Sequence, residues 1–137
     1  MELDEAVRLR IPEIADAVHL FQLRTNPAVN QYLDRTPPAT IMEVEDFIEK
    51  RRADRQAYYF IIDLLPEKTV AGTICLWNID PQLKSAEVGF ELLPAFQGKG
   101  IMTTALGKLI QLAFRDWELD KIEAYTKKEV KLASSAG

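Results

Sequence analysis

The run Ala86-Glu87-Val88-Gly89-Phe90-Glu91-Leu92 reads as a strand, and the stretch beyond Gly100 reads as a long amphipathic helix. Between them stands Pro94-Ala95-Phe96-Gln97-Gly98-Lys99-Gly100. This junction constrains the fold more than any other segment. A helix entered through glycines leaves its first backbone N–H groups unpaired, at the positive end of its dipole. Glycine also lets another group approach the backbone with no Cβ in the way. Such a place suits a phosphate or pyrophosphate. Residues 97–103 are therefore expected to hold a phosphorylated cofactor, with Lys99 adding positive charge.

The flanking pattern extends the same reading. Val7–Arg10 is a short strand. Pro12 suits a first helical turn, and Ile14, Ala17, Val18 and Phe21 make an apolar stripe at helical spacing. Asn26-Pro27 interrupts that helix, and a short segment at 29–33 follows before Pro37-Pro38 breaks the chain. Thr40 with Glu43 is a capping box ahead of a helix whose inner face is Ile41, Val44, Phe47 and Ile48, ending near Arg55. Strands are expected at 58–64, 70–79 and 87–92, with turns at Pro66-Glu67-Lys68 and Asp80-Pro81 and a bulge or close approach at Gly72. Met102, Ala105, Leu106, Leu109, Ala113 and Trp117 form the stripe of the helix after the glycines. A last strand is expected at 121–126, while 127–137 has no clear pattern. A meander followed by a helical crossover gives an α+β fold, a mixed sheet with helices packed on it.

At 137 residues the chain is expected to form one domain, 1–137. The net charge of −4 argues against general nucleic-acid binding and mildly favours a cationic partner. The single cysteine, Cys75, cannot form an internal disulfide and suits a reducing cytoplasm. The acidic start, Met1-Glu2-Leu3-Asp4-Glu5, does not read as a signal peptide, and no apolar run has membrane-spanning length. Cys75 and His19 do not make a usual metal site, so none is expected. Two common phosphate loops also fail. A nucleotide triphosphatase loop needs Ser or Thr after its lysine, but Lys99 precedes Gly100. The dinucleotide fingerprint needs a third glycine where this chain has Thr103.

Gln97-Gly98-Lys99-Gly100-Ile101-Met102 resembles the Gln/Arg-x-x-Gly-x-Gly/Ala signature of the GNAT acetyltransferase superfamily. Asn26-Pro27-Ala28-Val29-Asn30-Gln31-Tyr32-Leu33, Val70-Ala71-Gly72-Thr73-Ile74, Ala86-Glu87-Val88-Gly89-Phe90 and Lys121-Ile122-Glu123-Ala124-Tyr125-Thr126 are similar to the branch that modifies ribosomal-protein N-termini, spermidine and antibiotics. The likeness covers 7–126. It implies a mostly antiparallel mixed sheet with helices on both sides, acetyl-CoA as cofactor, and acetyl transfer to a primary amine by direct attack on the thioester. It assigns the cofactor to Gln97, Gly98, Lys99, Gly100, Ile101, Met102 and Thr103, with Leu92 and Leu93 offering backbone groups to the pantetheine arm and one N–H to an oxyanion. Two departures stand out. Met102 replaces Gly or Ala. Residues 127–137 carry neither the Asn-x-x-Ser helix start nor the Gly-Phe pair, so the fold is expected to lack the usual last helix and two strands, with the family's tyrosine acid.

Glu87, Gly89 and Glu91 share one strand face. Glu87 occupies the place where some superfamily members put a glutamate that takes the amine proton through water. The alternative is a solvated face, or an ion pair with Lys84 or Arg115. Glu91 and Tyr32 are the expected substrate contacts. His19 reads as surface, Cys75 as a structural thiol, Trp77 and Trp117 as packing, and Tyr58, Tyr59 and Phe60 mostly as core. A cofactor-binding relative without catalysis is the competing reading, and a different coenzyme A thioester a third. An unpaired 121–126 edge would invite a homodimer contact or capping by the tail. The acceptor stays open among peptides, polyamines, aminoglycosides and amino acids.

Overall fold

The computed structural model describes residues 2–30, 36–54, 58–80, 82, 84–117, 121–125 and 130–134, with side chains up to residue 115. Its centre is a hairpin. Tyr58–Leu64 (β2) and Thr69–Asp80 (β3), rich in aromatic and β-branched residues, pair antiparallel from Tyr58↔Leu76 to Leu64↔Thr69. Val7–Arg10 (β1) adds antiparallel to the outer edge of β2, and Ser85–Leu92 (β4) adds antiparallel to β3. Lys121–Tyr125 (β5) runs parallel to β4, from Ser85↔Lys121 to Val88↔Ala124. A parallel neighbour cannot be reached by a tight turn. The helix Ile101–Trp117 (α5) makes the crossover.

The tail departs from the expectation that 127–137 is patternless. Val130–Ser134 (β6) pairs antiparallel with β5, which completes a six-stranded sheet in the order β1 to β6. The outer edge of β5, offered above for a homodimer contact, is thus taken by the chain's own tail. Exposed N–H and C=O groups recruit the segment at highest local concentration.

Helices cover both faces. On one, Ile101, Ala105, Leu109 and Ala113 of α5 meet Val7, Ile62, Ile74, Leu76, Ala86, Val88 and Leu92, all buried. On the other lie Ala17–Thr25 (α2), Pro27–Asn30 (α3) and Ile41–Ala53 (α4). Their Ala17, Leu20, Leu23, Val29, Val44 and Ile48 pack on Tyr59 and Ile61. A short helix, Leu3–Ala6 (α1), precedes β1, and Lys108 Nζ ties it to α5 by donating to the carbonyls of Asp4 and Val7.

The stripe expected for the first long helix is out of phase with the one observed. Leu20 and Leu23 are buried, whereas Ile14 and Val18 are exposed. A 3-10 turn at Ile14–Asp16 precedes α2 and rotates it, because its residues repeat every three rather than 3.6. The turn brings Asp16 inward, where Arg10 grips both its oxygens at 2.8 Å. Burial alone would raise the Asp16 carboxyl, but Arg10 and the Glu13 N–H hold it below its ordinary value. In α4, Thr40 caps the Glu43 N–H as expected, while the Glu43 carboxylate reaches back to Ala39. Ile41 lies exposed at the start of that helix. Gly72 is a close-approach point. A Cβ there would sit 2.0 Å from the Glu91 carbonyl oxygen.

Candidate active site

Two parallel strands that part company make the first element of the site. β4 and β5 are paired only as far as Val88↔Ala124. At the end of β4, the Leu93 N–H donates to Ala71 O at 2.9 Å, so Leu93 still faces β3. Backbone direction alternates along a strand, which turns the N–H and C=O of Phe90 and Leu92 toward the side where pairing with β5 has ended. The Gln97 side chain closes part of that gap, donating to Leu92 O at 3.0 Å. It pins the loop to the strand it leaves. The side chains of Leu92 and Leu93 are taken up by the two cores, so their backbone groups are what they can offer.

The loop itself turns through a 3-10 segment, Pro94–Phe96, and two left-handed glycines. Gly98 has φ +74° and Gly100 φ +79°, a region costly for residues with a Cβ. Thr104 N–H is the first to bond back along α5, to Gly100 O at 3.1 Å. The N–H groups of Ile101, Met102 and Thr103 therefore have no partner within the helix. Residues 97–100 are exposed, and a Cβ built on Gly98 meets nothing within 4 Å. Ile101 is buried and Met102 half-buried, so their side chains anchor the helix while their amides face outward. Open space, unpaired amides, the helix's positive end and the Lys99 ammonium fit a bound diphosphate.

The second element is the β4 face that carries Glu87, Gly89 and Glu91, opposite Trp77, Cys75 and Thr73 of β3. This face is divided. Glu91 is only 6% exposed, and its carboxylate lies 3.5 Å from the Arg24 guanidinium. Arg24 reaches in from α2, stacks 4.2 Å above the Phe47 ring of α4, and touches the Tyr59 hydroxyl at 3.4 Å. Burial and the nearby Glu91 charge push the Tyr59 hydroxyl up to about 12. Burial likewise pushes the Cys75 thiol up to about 11. Both stay protonated at neutral pH, which removes them as nucleophile or base. Glu91, expected at the acceptor, is committed to Arg24 beneath the helices.

Glu87 lies beyond the cover of those helices and is half-exposed. Its carboxylate accepts a hydrogen bond from the Asn78 side chain. Asn78 sits at φ +50°, where the β3–β4 register slips between Trp77 and Asp80. The slip bends β3 so that the amide folds back across the strand pair. Trp77, directly opposite Glu87, is 49% exposed. Its indole lies over Gly89, with Nε1 3.7 Å from where a Cβ would stand. Tyr32 falls outside the described residues. Sequence reasoning missed Arg24 and Asn78 and took Trp77 for packing. An Asn one residue before an Ile-Asp turn was a faint sign of left-handed backbone. Nothing local pointed to Arg24.

The acetyltransferase (GNAT) domain model matches residues 6–131. The uncharacterized N-acetyltransferase p20 of Bacillus licheniformis is 32% identical over 128 residues, covering 91% of this chain and 72% of that protein. The spermidine N(1)-acetyltransferase of Escherichia coli K12 is 29% identical over 124 residues, covering 90% of this chain and 66% of the relative. The crystal structure of Vibrio cholerae spermidine N-acetyltransferase in complex with CoA and spermine superposes with a TM-score of 0.77 at 25% identity, over 88% of this chain and 70% of that one. Among the described residues, no helix is long and apolar enough to cross a membrane.

Proposed function

The chain belongs to the GNAT acetyltransferase family, and on that premise we propose that it transfers an acetyl group from acetyl-CoA to a primary amine. The observation that carries this reading is the pair of left-handed glycines opening α5, with free space above Gly98. Gly98, Gly100 and the amides of Ile101, Met102 and Thr103 would hold the diphosphate, with Lys99 as a nearby cation and Gln97 as the brace. The exposed backbone of Leu92, with Leu93 beside it, would align the pantetheine arm, and one N–H there would meet the developing oxyanion. When bound, acetyl-CoA supplies a thioester carbonyl that the amine nitrogen attacks, with the thiol as leaving group. Glu87 would take the amine's proton through a water, since it is the carboxylate of this face that solvent reaches. Holding the two reactants in register supplies several kcal/mol of the barrier by itself, on the order of 7 or more in favourable cases.

The test is the double substitution Gly98→Val and Gly100→Val. Branched residues at these φ values close the cradle and are themselves strained. Calorimetric affinity for acetyl-CoA should fall by more than about 100-fold while circular dichroism stays native. An unchanged affinity overturns the reading. A thiol-release assay across an amine panel then separates enzyme from binder. The relatives named for spermidine make polyamines the first amines to include. Tight cofactor binding with no release from any amine would favour the non-catalytic alternative.

A further inference from the structure

We propose that Trp77 determines acceptor specificity, forming with Glu87 a corner that receives a cationic alkylamine. This rests on the acetyl-transfer reading for its site but on different atoms. Trp77 and Glu87 are register partners across β3 and β4, so their side chains rise side by side from one face. The indole is seated over Gly89 because no side chain stands there. A Cβ would meet Cys75 Sγ at 3.2 Å and the indole Nε1 at 3.7 Å. The first contact is tight and the second an ordinary van der Waals contact, so the glycine leaves room for the ring to lie close to the sheet. The Asn78 side chain donates to the Glu87 carboxylate and fixes it in place.

The result is a half-exposed indole beside a solvent-reachable carboxylate, next to the place where β4 and β5 separate. An aromatic ring and a carboxylate at right reach of each other recognise an organic ammonium. The carboxylate supplies charge, and the ring supplies cation–π attraction and a surface for methylene groups. The chain's net charge of −4 favours the same ligand class. The corner therefore selects a flexible alkyl ammonium, such as a diamine, over a less basic peptide α-amine.

The experiment uses the full chain carrying Trp117→Phe, so that one indole resonance remains. Titration with 1,4-diaminobutane, without cofactor, should shift the Trp77 indole N–H signal, and Glu87→Gln should weaken that shift by several-fold. In steady-state assays with acetyl-CoA, Trp77→Ala should raise KM for the diamine by about 3- to 30-fold with little change in kcat or in KM for acetyl-CoA. Trp77→Phe should recover most of the loss, and both variants should keep the parent melting temperature. No shift, together with a diamine KM within twofold of the parent in Trp77→Ala, overturns the proposal and leaves acetyl transfer intact. A Glu87-dependent shift with no thiol release from any amine keeps the corner and overturns acetyl transfer instead. Preferred turnover of an alanyl peptide amide over the diamine also overturns the alkylamine assignment.

Discussion

Glu87 and Glu91 stand on the same face of the same strand, one turn of the pleat apart from Gly89, yet they meet different fates. Glu91 lies under α2 and α4, paired with Arg24 and closed to water. Glu87 lies past the end of those helices, bonded to Asn78 and open to solvent. One carboxylate cements a core, and the other is available to a ligand. The lesson is that chemical type and face do not decide a carboxylate's role. What covers the face decides it, because cover sets both the dielectric and the partner.

The largest test of this contrast is Arg24→Ala. It removes the cation beside a buried carboxylate and should cost about 3–5 kcal/mol in urea unfolding. Converting the pair together, Arg24→Met with Glu91→Leu, should recover most of that loss, since apolar residues need no partner there. If Arg24→Ala were as stable as the parent, Glu91 would not depend on Arg24 and the contrast between the two carboxylates would collapse.

On the open half the signs reverse. Glu87→Gln should change stability by less than about 0.5 kcal/mol, as surface substitutions usually do. It should lower kcat/KM for the amine by about 100-fold near neutral pH and alter the pH–rate profile. A parent-like profile would remove Glu87 as base.

A smaller effect probes the boundary between the halves. Cys75 faces Gly89, and burial raises its thiol to about 11. A raised value means less thiolate at any pH below it. At pH 8 the folded chain should therefore react with iodoacetamide about two orders of magnitude more slowly than the urea-unfolded chain, whose thiol titrates near 8.5. Equal rates would show that the cover over β3 opens readily.

Much of this was legible locally. The strands β2, β3 and β4 announced themselves through β-branched and aromatic runs, and Asn26-Pro27 and Thr40 punctuated the helices where they do in the fold. The backbone of the glycine loop was legible for the same reason. Gly98 and Gly100 set the turn through their own φ angles, so the cradle proposed for the diphosphate is nearly contiguous in sequence. The α2 stripe was misread because a 3-10 turn reset its phase, and Asp16, polar and facing inward, concealed where the helix began. β6 was hidden because strand formation there depends on the free edge of β5 rather than on a strong pattern of its own.

Sequence alone thus determined the loop, the meander and the family, since each depends on neighbouring residues whose preferences add along the chain. Tertiary structure decided which glutamate would be sealed and which left open. That outcome turns on how far α2 and α4 extend over the sheet and on the reach of Arg24 across it. It also turns on the register that sets Trp77 opposite Glu87. These are distances between segments remote in sequence, and burial free energies follow distance and cover rather than residue type.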